Sequence, residues 1–76
     1  MDIDEELDAT GLLCPLPVLR ARKRLLALSP GTVLRLTTDD PAAVIDVPHF
    51  CREAGHVLLA TEDVDAAHRF VIRRGP

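Results

Sequence analysis

The chain has 76 residues, 47% of them hydrophobic, two cysteines and a formal net charge of −3. That length predicts one domain over residues 1–76; the hydrophobic fraction predicts a real core and argues against a disordered chain, and two cysteines exclude a disulfide-dense scaffold. The acidic start, Met1 to Glu6, predicts neither a signal nor a transit peptide, and no apolar run approaches the roughly 20 residues that span a bilayer.

A cytoplasmic protein with reduced thiols is therefore expected, with no membrane partner. Two phenylalanines, no Tyr or Trp and an acidic balance also argue against direct, stable nucleic-acid binding, which favours basic excess and flat stacking side chains.

Ile3, Leu7 and Ala9 fall on one face of an extended segment, interrupted by Glu5, and predict a first strand. Thr10-Gly11 breaks it. From Pro17 to about Leu28, Val18, Ala21, Leu25 and Leu28 keep helical spacing, with Leu19 and Leu26 widening the stripe. Arg20, Lys23 and Arg24 fall largely opposite, and Ser29-Pro30-Gly31 ends the helix. Thr32 to Thr38 alternates as a strand, Leu34 and Leu36 on one face, Arg35 and Thr37 on the other.

Asp40 and Pro41 suit the cap and first position of a second helix. Its stripe runs Val44, Val47, Phe50 or Cys51, and Ala54, up to Gly55, and Pro48 within it predicts a kink or two short pieces. Val57 to Thr61 and His68 to Arg73 read as strands joined through a polar turn at Glu62 to Ala66, hence an antiparallel hairpin. The order βαβαββ, with two right-handed crossovers, predicts an α+β fold. It is a two-layer α/β sandwich: a four-stranded mixed sheet with both helices on one face.

The chemistry concentrates at Cys14-Pro15-Leu16-Pro17. A residue before proline is pushed toward extended backbone, so Cys14 is expected as N-cap with Pro15 at the first helical position, or the regular helix starts only at Pro17. Either arrangement puts the sulfur within a turn of the positive helix end and predicts a moderate lowering of its pKa. The lowering is limited because Pro17 lacks an N–H and only that of Leu16 is left for the sulfur. Arg22 lies eight residues on, about 12 Å along a helix, which suits docking an acidic partner more than activating the thiol. Arg20, Arg22, Lys23 and Arg24 form that candidate docking face; a solvated helix face is the competing reading. For Cys14 the competing reading is a buried structural cysteine near a turn.

Cys51 sits on the apolar stripe of the second helix and reads as a small core residue, with a resolving thiol or second sulfur site as alternatives. Cys14, His49, Cys51 and His56 match no standard zinc spacing, so neither a metal nor a cofactor is assigned. His68 alternates into the face of Phe70 and Ile72 and reads as structural.

Leu-Asp-x-x-Gly-Leu-x-Cys-Pro-x-Pro, filled from Leu7 to Pro17, is similar to the signature of TusA-type sulfur carriers, the TusA/SirA/YeeD group. Arg22-Lys23, Pro30-Gly31, Asp39-Asp40-Pro41-Ala42, Asp46-Val47-Pro48, Phe50-Cys51 and the closing Phe70 to Gly75 extend the resemblance, toward the TusA branch, over essentially the whole chain. The resemblance implies the same sandwich and a role. Cys14 would accept sulfane sulfur as a persulfide from a cysteine desulfurase or rhodanese-like donor and hand it to the cysteine of a downstream sulfur-relay protein. It would thus be a sulfurtransferase-type covalent carrier rather than a self-sufficient catalyst. Pro15 and Pro17 would be its motif partners, with Asp8 and Gly11 belonging to the signature without needing to touch sulfur.

In the TusA branch the relay ends at 2-thiouridine of tRNA; some relatives serve molybdenum-cofactor synthesis or sulfur oxidation. Other classes stay open at this point: a noncovalent regulatory or RNA-binding module, or a thiol peroxidase or disulfide reductase. The last would need Cys14 and Cys51 within the roughly 4.4–6.8 Å that a disulfide spans between α-carbons.

Overall fold

The computed structural model describes residues 2–76. Its elements run β1 (Glu5–Asp8), α1 (Leu16–Leu26), β2 (Val33–Thr38), α2 (Ala43–Ala54), β3 (Val57–Val64) and β4 (Ala67–Arg73). The sheet order is β1-β2-β4-β3, with β1 parallel to β2 and β4 antiparallel to both β2 and β3. Three strands therefore point one way and β4 lies between two of them reversed, the mixed sheet that two βα units followed by a hairpin produce. No described helix is long and apolar enough to cross a membrane.

The core forms where the alternating faces of the strands meet the two helices. Leu34, Leu36 and Thr38 of β2, Phe70 and Ile72 of β4 and Leu7 of β1 are buried with Ala21 and Leu25 of α1 and Ala43, Val47 and Cys51 of α2. Two helical stripes differ from expectation. In α1 the buried positions are Pro17, Ala21 and Leu25, while Leu19 and Leu26 are exposed. A four-residue step, 17-21-25, is enough to cover the sheet from a short helix, and small Ala21 lets the backbones approach. In α2 the same step selects Ala43, Val47 and Cys51, which leaves Val44 and Ala54 at the surface.

Helix α2 is one unbroken segment across Pro48, not two pieces. Proline removes a single internal hydrogen bond, here the one to the carbonyl of Val44, and the packing of Val47 and Cys51 on either side holds the helix together. Gly55 ends it at φ 77°, a left-handed conformation that a side chain disfavours.

Ile3 lies outside β1 and lines a groove with Arg35, Ala60 and Val71 on the open face of the sheet, away from Leu7 and Ala9. That face is laced by ion pairs, Glu6 with Arg35 at 2.5 Å and Glu62 with Arg69 at 3.5 Å. β3 runs three residues past Thr61, so the polar stretch Glu62–Val64 is strand and only Asp65-Ala66 turns. Asp65 takes the positive φ (55°) that a tight hairpin needs and that an aspartate tolerates. A bulge between Leu58 and Ala60 interrupts the β3–β4 register.

The C-terminal segment fastens the layers. Arg74 donates through Nε to the Leu25 carbonyl at the end of α1 (2.7 Å), and Gly75 donates its N–H to His56 Nδ1 (2.9 Å). The His56 ring also rests against Phe50, with centroids 5.5 Å apart. Accepting at Nδ1 requires that nitrogen unprotonated, and burial, followed by the charge of Arg74, holds the His56 pKa below the usual 6.5. The unfolded chain then binds the extra proton first as pH falls, so the stability tied to neutral His56 is complete above about 6.5 and declines below it. Urea unfolding should accordingly show a lower midpoint at pH 5.5 than at pH 7.5, and His56→Gln should flatten that slope. Carboxylates with depressed pKa values, Glu6 and Asp8, act only below the ordinary carboxylate range.

Candidate functional site

The stretch from Asp8 to Pro17 is tied down one backbone group at a time. Asp8 Oδ1 accepts from the Thr10 N–H (2.9 Å) and Oγ1–H (2.7 Å), the local turn that short acidic side chains make. Gly11 follows at φ 81° and donates its N–H to Asp39 Oδ1 (2.9 Å). Cys14 donates its N–H to Asp40 Oδ2 at 2.6 Å. Asp8 and Gly11 thus shape the loop without touching the sulfur.

Asp40 is the centre of this arrangement. It is buried, and its second oxygen, Oδ1, accepts from Ala42 N–H (3.2 Å), while its own N–H donates to Thr38 Oγ1 (3.2 Å). It does cap the turn leading into α2, as its place before Pro41 suggests, although regular helix begins only at Ala43. One carboxylate therefore joins the start of the second helix to the cysteine loop 26 residues earlier.

The start of α1 corrects the expected cap. Leu16 is the first helical residue, Pro15 (φ −97°) is the N-cap, and Pro17 is second; the Cys14–Pro15 peptide bond is cis. Residues 13–16 close their own turn, with Leu16 N–H donating to the Leu13 carbonyl (2.8 Å), and Leu19 N–H reaches the Pro15 carbonyl (3.1 Å). Cys14 sits in the middle of that turn, two residues before the first helical residue. The Leu16 N–H, the group expected to meet the sulfur, is spoken for.

What meets the sulfur is an acid. Cys14 is exposed, and its thiol donates to Asp46 Oδ2 at 2.9 Å, from the first turn of α2. The Cys14 pKa is raised, first by that hydrogen bond, then by desolvation and by the charges of Asp46 and Asp40. This reverses the expected lowering: two nearby carboxylates outweigh a helix end that offers the sulfur no donor. No local pattern in the sequence marks Asp46, which lies 32 residues from Cys14.

An open groove of about 370 Å³ runs beside the thiol, lined by Cys14, Pro15, Val18, Asp46, His49, Phe50 and Glu53. Its walls are apolar and its charged rim is acidic. The basic residues stand elsewhere: Arg20, Lys23 and Arg24 line a different groove with Leu7 and Ala27. Arg24 is held to Glu5 (2.9 Å) and to the Glu6 carbonyl (3.3 Å), whereas Arg20, Arg22 and Lys23 pair with no carboxylate among the described residues. Leu13 and Leu16 are exposed around the thiol.

Cys51 is 2% exposed and unpaired, and burial pushes its thiol up to about 11. It is the core residue its stripe suggests, and no disulfide links it to Cys14. His56 is engaged by Gly75, and His68 Nδ1 lies 2.7 Å from Asp63. Among the described residues no three His, Cys, Asp or Glu side chains form a metal-binding group.

Comparison with known proteins bears on the family and the fold. The sequence model of the family described as Sulfurtransferase TusA matches residues 5–74. The chain is 42% identical over 73 residues to the sulfur carrier protein TusA of Allochromatium vinosum, covering 96% of each chain. Among solved structures it is similar to the SirA-like protein of Desulfitobacterium hafniense, with a TM-score of 0.83 and 26% identity over 95% of this chain and 99% of that one.

Asp40→Ala would leave two backbone N–H groups without their carboxylate, at a cost of about 2–3 kcal/mol given the strength of charged hydrogen bonds; chemical denaturation measures it. Brief treatment of the folded protein with iodoacetamide at pH 8 should modify Cys14 alone, Cys51 reacting only after denaturation, as peptide mass mapping would show.

Proposed function

Because this chain belongs to the TusA family, we propose that it is a sulfur carrier whose cargo rides on Cys14 as a persulfide. The observation that carries the reading is an exposed thiol at the tip of a proline-flanked turn whose backbone is pinned by Asp39 and Asp40. Such a sulfur is open to in-line approach by a second protein's cysteine, while its position barely depends on flexible side chains.

Loading is thiol exchange. The Cys14 thiolate attacks the outer sulfur of a donor persulfide, the donor's S–S bond breaks, and the donor cysteine leaves as thiolate. Delivery repeats the step with Cys14 as the leaving group and an acceptor cysteine as the attacker. No net oxidation occurs, so neither a cofactor nor a metal is required. Pro15 and Pro17 restrict the turn, and Asp8 and Gly11 set the loop that leads to it. The donor is a cysteine desulfurase or a rhodanese-like protein, the acceptor a relay protein, and the end product tRNA 2-thiouridine. Sulfur delivery to molybdenum-cofactor synthesis or sulfur oxidation is the alternative end. The free cations Arg20, Arg22 and Lys23 offer a second surface, apart from the thiol groove, for an acidic partner.

The test is to incubate the protein with a desulfurase and isotopically labelled cysteine and to weigh the product. The unmutated protein and Cys51→Ala should each gain one sulfur atom that a reductant removes, and Cys14→Ser should gain none. Equal uptake by Cys14→Ser would remove the proposal. Loss of thiolated tRNA in cells carrying Cys14→Ser would fix the end product, and its persistence would favour the alternative.

A further inference from the structure

The Asp46 carboxylate is anomalous beside a thiol meant to react. An ionised carboxylate only accepts hydrogen bonds, so at 2.9 Å from Asp46 Oδ2 the Cys14 sulfur must be the donor. A carboxylic acid is by nature a far stronger acid than a thiol, so a single shared proton belongs on sulfur. A thiol in that state is a poor nucleophile, because the thiolate is the attacking species.

The groups that face Cys14 offer no counterweight. From α2 they are Asp46, His49 and Glu53, and from the β2–α2 connection Asp40; the cap Pro15 and, from α1, Pro17 and Val18 carry no titratable group. The lining of the groove includes no lysine or arginine, and its rim carries two carboxylates. The resting molecule therefore opposes its own thiolate, and the charge that would relieve the opposition has to come from outside.

We propose that Asp46 is a positioning residue that keeps the unloaded thiol protonated and slow to react at neutral pH, and that a sulfur-exchanging partner releases it by laying a cationic side chain in the acidic groove against Asp46 and Glu53. The proposal rests on Cys14 being the carrier thiol and adds how its reactivity is confined to encounters with the right partner. On docking, the cation takes over Asp46, the S–H proton leaves to solvent, and the thiolate attacks the partner's outer sulfur. The partner's S–S bond breaks, and the departing thiolate is the only leaving group. The chemical class of partner follows: a protein with Lys or Arg a few ångströms from its own reactive sulfur.

The test needs no partner protein, so its outcome is independent of sulfur loading. Iodoacetamide alkylation of Cys14 is followed by mass against pH for the unmutated chain, Asp46→Asn and Asp46→Glu. Asp46→Asn should react roughly threefold faster or more at pH 7, its profile displaced to lower pH, because more of the sulfur is thiolate. Asp46→Glu should stay close to the unmutated chain. Asp46→Ala replaces Asp46→Asn should the latter fail to fold. A purely structural Asp46 would leave the profile of folded protein unmoved, and a slower Asp46→Asn would make Asp46 a proton acceptor in the attack; either result overturns the proposal.

A second arm reads the cation. Cystamine, a disulfide with two ammonium ends, should exchange with Cys14 faster than neutral 2-hydroxyethyl disulfide, and Asp46→Asn should shrink that preference at least about twofold. An equal preference in both chains overturns the partner's role.

Discussion

Asp40 is the point on which the rest of the molecule turns. A carboxylate taken out of water must be met by donors or it destabilises the fold, and here the donors are supplied by two separate parts of the chain. The N–H of Cys14 reaches one oxygen and that of Ala42 the other. The same group therefore starts α2 and fixes the backbone of the cysteine. With Asp39 holding Gly11 beside it, the β2–α2 connection serves as a template on which the β1–α1 loop is laid. The parallel pairing of β1 with β2 makes this possible, since it brings the C-terminal ends of both strands, and so both connections, to one edge of the sheet.

The helix end and the acidic groups compete for control of the sulfur, and distance decides the contest. A helix N-terminus acts mainly through its free N–H groups and fades within a turn. Here Pro17 has none, Leu16 is committed to Leu13, and Cys14 stands outside the helix. Asp46 is in direct contact and Asp40 close behind. The prolines therefore shape where the sulfur is, while the acids of the second helix and its lead-in govern how easily it loses its proton. Position and reactivity come from different segments of sequence.

Much of the architecture is legible in the sequence. The alternation in Thr32–Thr38, the turn signals and the βαβαββ order led to the right architecture, and proline flanking marked Cys14. The errors have a common origin in one-dimensional reading. Helical stripes drawn at mixed three- and four-residue steps included Leu19, Leu26 and Val44, which short helices crossing a sheet leave outside. Pro48 looked disruptive because the pattern does not register the packing of Val47 and Cys51 around it. Above all, the acids at Cys14 are 26 and 32 residues away, and only the fold could reveal that the sulfur's environment is anionic. The Asp39-Asp40-Pro41 stretch does lead into a helix, but Ala42 is the cap and Pro41 lies before the first helical residue, and half of the work of these acids is done on another loop.

The rims of the sheet carry a consequence for how this molecule meets others. An exposed strand edge invites another chain to add itself through backbone hydrogen bonds. β1 offers an edge of only four residues, three of them acidic. β3 is longer, but its bulge at Leu58–Ala60 breaks the straight run of free backbone groups. Neither rim is a good template for extending the sheet. A small protein that must repeatedly join and leave partners is thereby discouraged from the least reversible kind of union, and its encounters are steered to the side-chain surface around the two helices.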